Sequence, residues 1–165
     1  MWPTLFLIIR RITPFIFMLS YSFCSGASAQ INEIEGEWTF VEDGTVLDVA
    51  TCPAQKESLC AAIVKLPSNT KDDLAPGERT LLCRAHLLGD LRSEGVGDSN
   101  KAIYRGWIID PEDLLKGGSP THYNATLTIT SPARALIEVQ AAGGLYSERH
   151  ELVRNVAPVQ PCEMR

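Results

Sequence analysis

Short runs of alternating apolar and polar residues, separated by turn-forming residues, dominate the chain after residue 30. The clearest is residues 122–130, where apolar side chains at odd positions alternate with Asn124 and three threonines. Alternation with a period of two is typical of strands that have one buried and one polar face. Asp43-Gly44 and residues 131–134 are turn sequences between such runs. The pattern predicts antiparallel strands joined mostly by short turns.

Seven segments are predicted to be strands: residues 37–42, 45–51, 60–66, 101–109, 122–130, 135–141 and 145–154. Residues 81–91 permit two interpretations, because their leucines fit one side of a short helix and equally fit a strand interrupted at Gly89. Residues 67–79 and 110–121 are polar and are predicted to be surface loops. Counting residues 81–91 as a strand gives eight, which favours a closed antiparallel barrel or a sandwich. Closure would remove the exposed edges.

The first 29 residues have the composition of an export signal. Arg10 and Arg11 precede an apolar run over residues 12–23, and Ala27-Ser28-Ala29 is the small-x-small sequence that signal peptidase recognises. Residues 1–29 are therefore predicted to be a Sec-type signal peptide that is cleaved after Ala29.

Cleavage would leave residues 30–165 as one domain, periplasmic or secreted, with no stable membrane insertion. An uncleaved anchor is the main alternative, although the apolar run is shorter than the roughly 20 residues that a helical span needs. Lipidation is disfavoured, because Phe23 precedes Cys24 where a small residue is required. The residues after the arginine pair also lack the usual twin-arginine continuation.

Four cysteines remain after cleavage: Cys52, Cys60, Cys83 and Cys162. An even number in an oxidising compartment indicates two disulfides, for which three pairings exist. Cys52 and Cys60 flank a polar turn between two apolar runs, so a bridge across that hairpin is favoured, which leaves Cys83 to pair with Cys162. Metal binding is the rival interpretation, but the chain has no C-x-x-C spacing and its histidines are isolated. No metal and no cofactor is predicted.

The charge balance bears on the kind of partner. Without Arg10 and Arg11, 13 basic residues stand against 20 acidic residues, which gives a net charge of −7. A scattered acidic surface disfavours binding to the phosphate backbone of nucleic acid or to an anionic lipid surface. No nucleic-acid partner is therefore predicted.

An ordered set of segments carries a family resemblance. The segments are Gly36-Glu37-Trp38, Leu59-Cys60-Ala61-Ala62-Ile63-Val64, Arg79-Thr80-Leu81-Leu82-Cys83, Gly106-Trp107-Ile108-Ile109-Asp110-Pro111-Glu112-Asp113 and Tyr123-Asn124-Ala125-Thr126-Leu127. Together they resemble the bacterial family named domain of unknown function 2147, whose members are small exported proteins. The chain resembles a divergent member, since Leu114 stands where the family has glycine and the last strand lacks the usual tryptophan. The resemblance implies a small lipocalin-like barrel, and no catalytic residues come with it.

Two polar clusters are candidates for chemistry. Glu148 and His150 share one face of the last predicted strand, and a carboxylate beside an imidazole is a pattern that general bases use. A solvent-facing polar strand is the favoured interpretation of that pair. Asp110, Glu112 and Asp113 resemble a calcium loop but lack the ligand spacing of an EF-hand. The chain also has no G-x-S-x-G and no H-E-x-x-H motif, so no catalytic residue is predicted.

Four apolar residues are candidates for a cavity wall: Trp38, Phe40, Trp107 and Ile109. An eight-stranded barrel is wide enough either to fill itself with side chains or to hold one small ligand. The four residues are therefore expected to belong to the core or, as the alternative, to line a ligand pocket.

These observations predict an exported binding protein that is not an enzyme. Its partner is expected to be a small apolar ligand inside the barrel or a protein of the cell envelope. A structural or stress-related envelope accessory with no ligand is the alternative, and a hydrolase that uses His150 or the acidic loop is less favoured. An aromatic-lined cavity above about 300 Å³ favours the first of these functions. A filled interior with a large exposed apolar patch favours the second.

Overall fold

The computed structural model describes residues 33–67, 74–97 and 101–162, so the predicted signal peptide lies outside the described residues. The strands are β1 (Gly36–Phe40), β2 (Val46–Cys52), β3 (Gln55–Lys65), β4 (His86–Val96), β5 (Ala102–Ile109), β6 (His122–Ser131), β7 (Arg134–Ala141) and β8 (Tyr146–Arg154). Each strand pairs antiparallel with the next, and β8 pairs with β1 to close the barrel. The predicted antiparallel barrel is confirmed, and the sandwich is excluded.

Two short helices interrupt the connections that were predicted to be surface loops. Helix α1 (Pro76–Leu82) joins β3 to β4, and α2 (Pro111–Leu115) joins β5 to β6. Both begin with proline, whose fixed φ and missing N–H suit the first helical position. The carboxylate of Asp110 also accepts a hydrogen bond from the backbone N–H of Glu112 at 2.9 Å, which caps α2. The prediction of surface loops was wrong for these two helical segments, because it considered their polar composition and not the residues that begin and cap a helix.

The ambiguous segment 81–91 is divided between the two structures that its sequence allowed. Its first two residues end α1, and β4 begins at His86 and runs on to Val96. The backbone of β4 is distorted at Asp90, where φ is 49°, one residue after the predicted interruption at Gly89. A register shift in the pairing with β5 lies between Gly89 and Arg92, as expected for a bulge.

The antiparallel order gives the barrel two different ends. The connections β1–β2, β3–β4, β5–β6 and β7–β8 lie at one end, which we call the mouth. The connections β2–β3, β4–β5 and β6–β7 lie at the other end, which we call the base. Helices α1 and α2 contact each other at the mouth, where Leu74, Leu114 and Leu115 pack against the core. The helices therefore cover part of the mouth.

Trp38 and Arg154 close the base. The indole of Trp38 is 1 % exposed, and its Nε1 donates a hydrogen bond to the carbonyl of Ile34 at 2.8 Å. The guanidinium of Arg154 lies 4.4 Å from the centroid of that ring. It also donates hydrogen bonds to the backbone carbonyls of Glu35, at 2.8 Å, and Pro132, at 3.0 Å. The first and last strands are thus tied together at the base.

Apolar side chains fill the barrel, and on the side formed by β2–β4 they reach its mouth end. The fully buried ones include Leu47, Leu59, Ile63, Leu88, Leu91, Tyr104, Leu127, Ile137 and Leu152. Successive side chains in a strand point to opposite faces, so most of these residues come from alternate positions. Leu88 and Leu91 of β4 are three positions apart, because the distortion at Asp90 lies between them. Burial raises the pKa of Tyr104 above its ordinary value, because the phenolate would lose its hydration inside the core. The deep interior is therefore a packed core.

Gly89 and Trp107 fit together on the outer side of the sheet. Gly89 of β4 pairs with Trp107 of β5, and a Cβ built on Gly89 would overlap the indole ring. We expect Gly89→Ala to lower the free energy of unfolding by about 1–3 kcal/mol, because the ring or the strand must move. Gly77→Ala in α1 is the control, since an added Cβ there meets nothing within 4 Å. Urea unfolding of both variants is the measurement, and equal stability of both variants with the native protein would contradict this packing.

Both predicted disulfides are confirmed. The Cα atoms of Cys52 and Cys60 are 5.0 Å apart across the β2–β3 hairpin, and those of Cys83 and Cys162 are 5.9 Å apart. The second bridge fastens the segment after β8 to the end of α1. Within the described part of the chain, no helix is long and apolar enough to cross a bilayer. The two disulfides are compatible with an exported protein.

Candidate functional site

A cleft of about 400 Å³ opens at the mouth on the side formed by β5–β8. Its lining residues are Ile108, Ile109, Asp110, Pro111, Tyr123, Val139, Ala141, Tyr146, Glu148 and His150. Seven of these ten side chains are aliphatic or aromatic, and the other three are two carboxylates and an imidazole. We refer to this space as the mouth cleft.

The register of the barrel explains why these residues meet. Tyr123 of β6 pairs with Ile108 of β5, and Tyr146 of β8 pairs with Ala141 of β7. Directly paired residues have side chains on the same face of the sheet. Their row therefore places two tyrosines on the inward face at the mouth, where Tyr146 is still 71 % exposed.

The inward face of β8 changes character along the barrel. From mouth to base its alternate residues are Tyr146, Glu148, His150, Leu152 and Arg154. Leu152 is 2 % exposed, whereas the side chain of His150 is 32 % exposed and that of Glu148 is 79 % exposed. The last strand thus contributes core residues at the base and polar residues at the mouth.

His150 lies between two carboxylates at the edge of the mouth cleft. Its Nε2 is 3.8 Å from Oε2 of Glu148, and its Nδ1 is 3.9 Å from Oε1 of Glu42. Both distances exceed those of a hydrogen bond. The edge of Phe40 meets the imidazole with ring centroids 5.9 Å apart, so His150 rests on the top of the apolar core.

The acidic loop that was weighed as a calcium site is used for local structure. Asp113 accepts hydrogen bonds from the backbone N–H of Thr121 and from Nζ of Lys116, both at 3.3 Å. These two donors lower the pKa of Asp113, and the same carboxylate raises the pKa of Lys116. Among the described residues, no three His, Cys, Asp or Glu side chains group as metal ligands do.

The structure separates the four residues that were expected to be core or cavity wall. Trp38 and Phe40 are buried in the core, and Ile109 borders the mouth cleft. Trp107 lies on the face of β5 opposite to the buried Tyr104, and its ring stacks on that of His122 with centroids 4.4 Å apart. Trp107 is therefore partly buried and packs against the core from this face, and it does not line the mouth cleft.

The residues that sequence reasoning missed at this site are the two tyrosines. Tyr146 begins β8, which was interpreted as a mostly polar strand, and Tyr123 was recognised only as part of an apolar face. The sequence did contain an indication of their position, because Tyr146, Glu148 and His150 each lie an even number of positions before Leu152. Counting backwards from that apolar residue would have placed all three residues on the inward face.

A second cleft of about 700 Å³ lies outside the barrel. It runs between α1 and the segment after β8, and its lining includes Arg79, Thr80, Val159 and the Cys83–Cys162 bridge. Two of its lining residues, Leu66 and Cys162, are close in sequence to residues 68–73 and 163–165, which lie outside the described residues. The mouth cleft is lined by residues of four neighbouring strands and is the better-defined candidate.

Comparison with protein-family models, with curated proteins and with solved structures found no match for this chain. The function has to be inferred from the geometry and the chemistry of the mouth cleft. The cleft has an apolar wall, two aromatic rings and a few polar groups at its edge, which is the usual composition of a small-molecule site.

Proposed function

We propose that this chain is an exported β-barrel binding protein that holds a small, largely apolar molecule in the mouth cleft without transforming it. The observation that carries the proposal is the position of the cleft, on the inward face of β5–β8 above a packed core. Mouths of β-barrels are common places for ligand sites. This arrangement supports a lipocalin-like use of the barrel in which the ligand occupies only its upper end.

The size of the cleft supports a ligand of modest dimensions. Ligand pockets occupy roughly 300–1,000 Å³, and the mouth cleft, at about 400 Å³, is near the lower limit. The core below it is closed by Leu152 and Ile137, which are at most 2 % exposed. The ligand would therefore be compact, or would leave part of its length outside the barrel.

The contacts of His150 support binding over catalysis. A general base is usually oriented by a hydrogen bond, and neither Glu42 nor Glu148 is close enough to provide one. None of the ten lining residues is a serine, threonine or cysteine, so the lining offers no hydroxyl or thiol nucleophile of the usual kind. We therefore assign no catalytic residue.

The cellular location and the family of the protein are part of the same proposal. We infer a Sec-type signal peptide at residues 1–29, cleavage after Ala29, and a periplasmic or secreted domain, which is a divergent member of the domain of unknown function 2147 family. The two disulfides support an oxidising compartment. A protein of the envelope is the second candidate partner, favoured by Leu145, which is 82 % exposed at the edge of the mouth.

The test is a titration of the protein with the neutral fluorophore 1-N-phenylnaphthylamine, whose emission rises in apolar surroundings. We expect saturable binding of one probe per chain. Ala141→Trp should weaken it at least about tenfold, because the indole would occupy the cleft. Ala50→Trp is the matched control, since Ala50 is exposed on the outer face of β2. Absence of saturable binding would favour the envelope accessory, and unchanged binding by Ala141→Trp would place the probe elsewhere.

A further inference from the structure

The ligand class of the mouth cleft is indicated by the charge of its lining. Asp110 and Glu148 each contribute a carboxylate, and none of the ten lining residues is lysine or arginine. Glu42 adds a third carboxylate at the edge, 3.9 Å from Nδ1 of His150. These three carboxylates are opposed by no lysine or arginine of the lining and by at most one charge on His150, so the cleft is negative in either state of the imidazole.

Lys116, which follows α2, does not offset this charge. Nζ of Lys116 lies 3.3 Å from Oδ1 of Asp113 and 3.8 Å from Oε2 of Glu112, so its charge is shared between two carboxylates of α2. Asp110 precedes the same helix and uses Oδ1 to cap it. Residues 110–116 hold three carboxylates and one lysine, so this segment beside the cleft carries an excess of negative charge.

The aromatic lining also favours a positively charged ligand. The faces of Tyr123 and Tyr146 carry the negative part of the ring quadrupole, which attracts cations within about 6 Å. The two tyrosines belong to one row of paired residues that includes Ile108 and Ala141, and Val139 extends the apolar wall below that row. An ammonium group at this position would meet aromatic faces and carboxylates together, whereas an anion would meet the same carboxylates unfavourably.

We propose that the mouth cleft selects organic cations, namely molecules with a compact apolar body and a protonated amine or quaternary ammonium group. The apolar body lies against Ile108, Val139 and Ala141, and the cationic group lies between the tyrosine rings and Glu148. This inference rests on the proposed binding function and specifies the ligand. The carboxylates at the edge of the cleft also raise the local concentration of cations when the ionic strength is low.

The test compares two ligands of the same chain length and opposite charge. Octyltrimethylammonium and octane-1-sulfonate are titrated against the protein by calorimetry, below the concentrations at which they form micelles. We expect the cation to bind at least about tenfold more tightly in low salt, with a smaller preference at high ionic strength.

Two variants locate the origin of the preference. Glu148→Gln should reduce the preference for the cation about threefold or more, because it removes one carboxylate and preserves the shape of the cleft. Glu57→Gln is the control, since Glu57 is exposed on β3 near the base, and it should leave the preference unchanged.

The outcomes distinguish this inference from the proposed function. Equal binding of the two octyl ligands, or tighter binding of the sulfonate, overturns the cation inference and leaves a binding function in place. An equal loss of preference in Glu57→Gln shows a general charge effect and also overturns it. If neither octyl ligand nor 1-N-phenylnaphthylamine binds, the proposed function itself fails.

Discussion

Replacing Trp38 by alanine is expected to lower the free energy of unfolding by roughly 3–5 kcal/mol. The indole is 1 % exposed, and its removal leaves a large cavity at the base of the barrel. The change also leaves the carbonyl of Ile34 without its donor and Arg154 without the ring that it covers. Urea unfolding followed by far-ultraviolet circular dichroism measures the loss without depending on tryptophan emission.

Trp38→Phe separates the ring from its hydrogen bond. Phenylalanine keeps most of the apolar surface, so this variant should lose less than half as much stability as Trp38→Ala. A loss below about 1 kcal/mol in Trp38→Ala would show that the base does not depend on the indole. Ligand binding at the mouth should survive in either variant under conditions where it remains folded, because Trp38 does not line the mouth cleft.

Removal of the Cys83–Cys162 disulfide is expected to destabilise the protein more than removal of the Cys52–Cys60 disulfide. The bridges close loops with sequence separations of 79 and 8. The chain-entropy model then gives about 4.5 kcal/mol for the long loop and about 2.5 kcal/mol for the short loop. The comparison uses two double Cys→Ala variants, each with the other disulfide intact.

The long bridge also has a local consequence. It holds the segment after β8 against the barrel, where the backbone N–H of Cys162 donates to the carbonyl of Val64 and that of Val159 donates to Glu37. Limited proteolysis of the Cys83→Ala/Cys162→Ala variant should therefore cut this segment first. The reverse order of stabilities for the two double variants would contradict the loop-length argument.

Strand pattern and cysteine spacing were sufficient to predict most of the fold. The alternation in residues 122–130 and 135–141 places Leu127 and Ile137 on one face, and both are buried in the barrel. Cys52 and Cys60 are close in sequence and were paired with each other, so Cys83 and Cys162 remained as the second pair. The short helices were missed because α1 and α2 span seven and five residues, which is too short for an apolar period to emerge.

The site was predictable only in part, since it depends on the register between strands that are far apart in sequence. Trp107 and Ile109 have the same parity in β5, yet Trp107 packs over Gly89 on the outer side while Ile109 borders the cleft. Burial at a strand end depends on the neighbouring loop, here on α2. The pattern of a single strand contains no information about such neighbours.

The position of a bound probe tests the central claim most directly. Amide chemical shifts of the ¹⁵N-labelled protein are recorded during titration with 1-N-phenylnaphthylamine. The account predicts that the largest changes occur at residues of the mouth cleft, namely Tyr123, Val139, Ala141, Tyr146, Glu148 and His150. Changes concentrated at Arg79, Thr80 and Val159 would place the ligand in the outer cleft, and saturation with no changes at the mouth would contradict the account.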